Sequence, residues 1–133
     1  MLDRNVYGTT ERQSEKAIGQ ARLANLTARQ LTLEKTLMQT ASEVTAWGKT
    51  KEICPEIERA GLRVRIGHMV REARSIARDV LEGCGASAHD LENPLQRALR
   101  DIETLSGHTV FDLDVSTESY GRLLLGLPSN SPI

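Results

Sequence analysis

The sequence predicts an all-α fold, a helical bundle completed by self-association or by a partner, and three observations carry that expectation. No proline interrupts residues 11–47, and apolar residues recur there at spacings of three, four and seven. Pro55 and Pro94 stand where first-turn prolines of two later helices belong. Aromatic residues make up only 3% of the chain, so its core must be built from Leu, Ile, Val and Ala, as in helix bundles. A length of 133 residues fits one domain, 1–133, with residues 1–10 and 129–133 expected to be flexible.

The first helix is expected to start at Thr9 or Thr10, either of which could cap a turn containing Glu11, and to run to Trp47 with Gly48 as its stop. Leu26, Leu33, Leu37, Val44 and Trp47 form its inward stripe, while Leu23, Leu31 and Met38 widen the apolar surface enough for a second neighbour. The second helix runs from Pro55 to about Gly83, with Ile57, Leu62, Ile66, Met69, Ala73, Ile76 and Val80 inward. Its other face carries Arg59, Arg63, Arg65, Arg71, Arg74 and Arg78. A third helix is expected from Pro94 to about Thr109, striped by Leu95, Leu99, Ile102 and Leu105, and a short last one from Ser116 to Leu125. The first two helices, about 37 and 28 residues, would extend roughly 40 to 55 Å and do not close on themselves. An antiparallel pair of that kind can borrow its mates from another subunit, which predicts a dimer or tetramer with Leu31 and Met38 at the interface.

Composition excludes several function classes. Basic and acidic side chains number 17 and 18, so no global field draws the chain to nucleic acid or to an anionic membrane. The arginine face of the second helix therefore reads as solvated or paired with acidic neighbours, with a DNA surface as the weaker alternative. No apolar run approaches the roughly 20 residues of a membrane span, and no signal-like segment opens the chain, so a cytoplasmic location is expected. Cys54 and Cys84 have neither ligand spacing nor a neighbouring histidine, which predicts reduced thiols and no metal site.

The third helix is the part with chemical content. It reads Asn93-Pro94-Leu95-Gln96-Arg97-Ala98-Leu99-Arg100-Asp101, with His108 seven residues beyond the aspartate, then Phe111-Asp112-Leu113-Asp114 and Tyr120-Gly121-Arg122-Leu123-Leu124-Leu125-Gly126. This pattern resembles the C-terminal helical domain of the acyl-CoA dehydrogenase fold. Within that fold it is similar to the branch of flavin-dependent aromatic monooxygenases that act on 4-hydroxyphenylacetate and dibenzothiophene. The likeness extends over about residues 13–127, the two longer helices being generic.

The resemblance implies a catalytic role for His108, which in that branch projects toward flavin and substrate and assists deprotonation or stabilises the flavin hydroperoxide. An imidazole near its ordinary pKa suits either task. Arg97, Arg100 and Asp101 match the motif as well, and read as an ion-pair network. Family members also carry a helical N-terminal domain and a central β-domain that hold most of the flavin and substrate site. The expectation is therefore a domain that binds no cofactor by itself and acts with a larger flavoprotein subunit holding FAD or FMN, as part of a flavin-dependent oxidoreductase. The alternative is a flavin-free bundle reused as an oligomeric scaffold or as a small pocket-bearing catalyst such as a cyclase. A small hydrophobic or aromatic ligand would then lie against Leu99, Ile102 and Val110, with His108 at the mouth.

Overall fold

The computed structural model describes residues 5–6 and 8–132. Expectations that fall on residues 1–4, 7 and 133 lie outside the described residues. Four helices make up the fold: α1 (Ala17–Thr50), α2 (Glu56–Cys84), α3 (Pro94–Ser106) and α4 (Leu113–Leu124). Short 3-10 turns occupy Gln13–Glu15, Ala86–His89 and Thr109–Phe111, and no strand is present among the described residues. The all-α expectation holds. The arrangement is centred on α2, against which α1, α3 and α4 each pack.

α1 starts later than the sequence suggested. The Thr9 hydroxyl donates to the Val6 carbonyl (3.1 Å) and accepts from the Glu11 N–H (3.3 Å), so it closes a turn instead of capping a helix. The Gln13–Glu15 turn then lies across the first turn of α1, where a Cβ on Gly19 would sit 2.3 Å from the Gln13 carbonyl oxygen. Only glycine admits that approach. Gly48 is not the stop either, since helix continues to Thr50 and ends where Lys51 takes φ +59°.

The seam between α1 and α2 is a 3–4 pattern of Leu26, Arg29, Leu33, Thr36, Thr40, Glu43 and Trp47, all buried or half-buried. Leu37 and Val44, expected inward, are about half exposed, at 54% and 49%. The apolar stripe drifts off the seam, and polar residues fill the vacated positions. Arg29 donates from Nε to Glu72 Oε1 (2.7 Å), from Nη1 to Asp79 Oδ2 (2.5 Å) and from Nη2 to Ser75 Oγ (2.8 Å). Those bonds raise the guanidinium pKa further above its ordinary value, so its charge persists at every accessible pH. Arg65 donates to Glu43 Oε2 (2.6 Å) and holds the Glu43 carboxyl below the usual carboxylate range, with help from Gln39. The Glu43 contribution to stability is therefore present above its unfolded pKa and is lost as pH falls through its lower folded value.

Replacing Arg29 by Met is expected to lower the unfolding free energy by about 1–2 kcal/mol, because two carboxylates and a hydroxyl lose their shared donor while water still reaches them. Arg29→Lys should recover less than half of that, as a point ammonium cannot span three acceptors. Urea midpoints test this, and a Lys variant equal to the parent would show that charge alone holds the seam.

α2 follows its prediction closely. Pro55 is the N-cap, Met69 is 8% exposed and Leu81 3%, while Ile57, expected inward, is 38% exposed at the first turn, where no neighbour covers it. Its arginines are mostly engaged within the chain: Arg59 with the Cys54 carbonyl (2.6 Å), Arg63 with the Pro132 carbonyl (2.6 Å), Arg65 with Glu43, Arg74 with Ser106 Oγ (3.2 Å) and Arg78 with Glu103 (2.6 Å). Arg71 has no hydrogen-bond or ion-pair partner among the described residues.

α4 sits close on α2 because α2 offers glycine where α4 offers bulk. A Cβ on Gly67 would lie 3.0 Å from Leu113 Cδ2, and one on Gly61 would lie 3.3 Å from the Tyr120 ring. The start of α4 is set by Asp112, whose carboxylate accepts from the N–H groups of Asp114 (3.0 Å) and Val115 (3.2 Å). Ser116, expected near the start of that helix, is instead buried inside it and donates to the Asp112 carbonyl (2.6 Å).

Val6 and Glu11 are hydrogen-bonded through the backbone (2.9 Å), and residues 129–132 fold back with side-chain bonds to Glu56, Glu118 and Ser119. On the far side of α1, Leu31 and Met38 stand 48% and 68% exposed.

Candidate functional site

The site is the corner where α3 ends, His108 opens a 3-10 turn and α4 begins. Gly107 closes α3 by donating to the carbonyls of Glu103 and Thr104, both at 3.2 Å. His108 then turns out of the helix at φ −74°, ψ 137° and caps the Thr109–Phe111 turn. Its Nδ1 accepts the Val110 N–H (3.2 Å), and its carbonyl accepts the Phe111 N–H (2.9 Å). The imidazole meets the Phe111 ring edge-on, with centroids 6.3 Å apart. Because Nδ1 is committed as an acceptor, the neutral ring carries its proton on Nε2. The side chain is exposed, so Nε2–H is a donor facing outward.

Beside this turn a cleft of about 370 Å³ opens between α2 and the start of α4. Gly67, Val70, Phe111 and Leu113 line it with Ser106, and Arg71, Arg74, Asp112 and Asp114 supply its charges. Arg74 is fixed by Ser106 and lies 3.9 Å from Glu103, which is held more tightly by Arg78. The arrangement offers a polar, charge-lined wall with an outward imidazole at one side. Among the described residues no group of three His, Cys, Asp or Glu side chains could hold a metal ion.

The residues expected to form a pocket are placed differently from one another. Leu99 and Ile102 are half-buried on α3, Val110 is 47% exposed in the 3-10 turn, and none of them, nor His108, walls the cleft. Arg97 and Asp101 form a loose surface pair at 3.8 Å that contributes little. Asp112 and Phe111 are the site residues that residue-by-residue reading passed over. An Asp directly before an apolar run is an N-cap signal that could have found Asp112, whereas the Arg74–Ser106–Glu103 link joins two helices and leaves no local trace.

Comparison with known proteins places the chain in a family. The family model described as "Acyl-CoA dehydrogenase, C-terminal domain" matches residues 2–113. The chain belongs to that family. A curated relative is the pigment production hydroxylase of Rhodococcus sp. (strain ATCC 21145), 29% identical over 98% of this chain and 33% of its own length. Among solved structures, XiaF from a Streptomyces species, in complex with FADH2 and glycerol, superposes with a TM-score of 0.88 at 23% identity, over 98% of this chain and 33% of that one. The HsaA monooxygenase from M. tuberculosis gives 0.76 at 22% identity, over 86% of this chain and 30% of that one. The 3-HSA hydroxylase from Rhodococcus sp. RHA1 gives 0.77 at 23% identity, over 88% and 31%. At these identities the structures establish the fold. The acyl-CoA dehydrogenase C-terminal domain described here thus spans about a third of the length of the proteins it matches. No helix among the described residues is long and apolar enough to cross a membrane.

Proposed function

We propose that this chain forms one wall of the catalytic chamber of a flavin-dependent hydroxylase or monooxygenase, with a larger partner supplying the domains that hold the flavin. The observation that carries this reading is the Val110 N–H on His108 Nδ1, which makes the imidazole a fixed donor through Nε2 at an exposed corner. A pre-oriented donor suits an oxygen atom that gains negative charge during hydroxylation, and suits less well the removal of a proton from substrate. The likeness to named hydroxylases, and to XiaF with FADH2 bound, supports the reaction class.

The residues present fit one edge of a flavin and no more. A cleft of about 370 Å³ lies near the lower end of ligand-pocket volumes and is open on one side, so a flavin placed here would need walls from elsewhere. When bound, the flavin would supply the oxygen chemistry. This chain would orient it and the substrate, donate from His108 Nε2 and exclude water from one side. In this reading the protein works in the reducing cytoplasm, and Leu31 and Met38 on the outer face of α1 pair copies of the chain into a dimer or tetramer.

Titrating the pure chain with FAD, FMN and their reduced forms tests the cofactor part, and no saturable binding in the micromolar range is expected. Tight binding by the chain alone would overturn the need for a partner. Sedimentation tests the assembly. A clean monomer of 14.7 kDa would overturn it, and Leu31→Glu is expected to dissociate the oligomer.

A further inference from the structure

The turn that carries His108 is followed at once by α4, and α4 is a short helix whose packing neighbour is α2. What holds α4 in register on α2 therefore also sets where the His108 turn ends. Glycine contacts at Gly61 and Gly67 fix the distance between the two helices but offer no directional bond. The directional bonds come from residues 126–132.

On the α4 side, the Ser119 hydroxyl, 1% exposed, lies 2.7 Å from both Asn130 Oδ1 and Ser131 Oγ. Asn130 Nδ2 donates to Glu118 Oε1 (2.6 Å), and Arg122 Nε donates to the Pro128 carbonyl (2.9 Å). On the α2 side, Ser129 Oγ donates to Glu56 Oε1 (2.6 Å), and the Pro132 carbonyl accepts from Arg63 Nη1 (2.6 Å). The tail thus ties three residues of α4 to both ends of the first two turns of α2. Among the described residues, the two tail side chains at Ser119 give that buried hydroxyl its only bonds beyond its own helix, and a buried hydroxyl left without them is costly.

We infer that residues 126–132 act as a strap that positions the His108 turn, with Asn130 and Ser131 as the positioning residues. The mechanical line runs from the tail to Ser119, along α4 to Leu113 seated on Gly67, and to Asp112, whose N–H is bonded to the Thr109 carbonyl (3.2 Å) inside the turn that His108 caps. Its relevance to chemistry rests on the reading of His108 given above. The link itself does not.

The experiment uses the full chain, with backbone amide exchange reporting on α4 and ¹⁵N NMR of the His108 ring reporting its tautomer. In Asn130→Ala/Ser131→Ala, which alters exposed or half-buried positions and leaves the helix packing intact, the amides of residues 115–124 should exchange about tenfold faster. The Nε2–H tautomer fraction of His108 should fall in the same variant, as the Val110 N–H drifts from Nδ1. Ser131→Thr keeps the hydroxyl and should match the parent in both measurements. His108 signals that do not move in the double variant would overturn the proposal, whether or not α4 exchanges faster, because the tail would then be structural only. A parent ring lacking the Nε2–H tautomer would count against the donor role of His108 and not against the strap, which is judged by whether the double variant moves that ring's signals.

Discussion

Leu81→Ala is expected to lower the unfolding free energy by about 2–4 kcal/mol, the cost of removing a buried Leu side chain and leaving part of its volume empty. Among the described residues the buried apolar set is small, comprising Leu26, Ala60, Met69, Leu81 and Ala88, and Leu81, at 3% exposure, is the most deeply buried of its large side chains. Against a total stability of about 5–15 kcal/mol for a domain, such a loss is a large fraction, and it should lower the melting midpoint by roughly 10 °C. Leu81→Met conserves volume and should cost under about 1.5 kcal/mol. Thermal melts of the two variants beside the parent decide the matter. An alanine variant that melts with the parent would show that the lower half of α2 carries little of the core.

Glycine substitutions give the second large effect, and its sign depends on the position. At Gly67 a leucine would drive its Cβ to 3.0 Å from Leu113 Cδ2 and 3.1 Å from Cγ, with the Phe111 carbonyl 3.7 Å away. Overpacking of that kind costs about 1–3 kcal/mol or more, while leaving glycine inside a helix returns at most about 1 kcal/mol. The clash wins, and α4 must lift. At Gly48, also helical, nothing lies within 4 Å of where a Cβ would stand, so Gly48→Ala should stabilise by about 0.5–1 kcal/mol. Denaturant midpoints should therefore move in opposite directions. Equal shifts of one sign would show that helix propensity, and not the α2–α4 approach, governs both sites.

Which parts of this fold could be read in advance follows from where the physical information lies. The first three helices were legible because Pro55, Pro94 and the apolar spacings are local features, each acting within a few residues of itself, although α3 ends at Ser106 and not near Thr109, since Gly107 closes it. Gly48 misled because a glycine can end a helix but need not, and the actual end is set by the backbone turn at Lys51. The α1 seam was misread at Leu37 and Val44 because Arg29, Thr40 and Glu43 are polar in the sequence and become core-facing only when Glu72, Asp79 and Arg65 on another helix receive them. The bonds made by the tail were not legible for the same reason, since its partners Glu56, Glu118 and Ser119 lie up to 73 positions away. His108 was visible only through its motif. Nothing in the letters around it shows that Val110 would occupy one ring nitrogen and leave the other free.

The centring of the molecule on α2 has a kinetic consequence. α1, α3 and α4 each meet α2 and at most graze one another; α1 and α3 are joined to it through short connections, while α4 reaches it by way of α3, and the native contacts are mostly close in sequence. Chains of that kind fold quickly, because little loop entropy must be lost before contacts begin to compensate for it. None of the three satellites needs another to be in place first. Once α2 has formed, they can add in any order, which gives the chain parallel routes to the same end state and makes the helicity of α2 the step common to all of them.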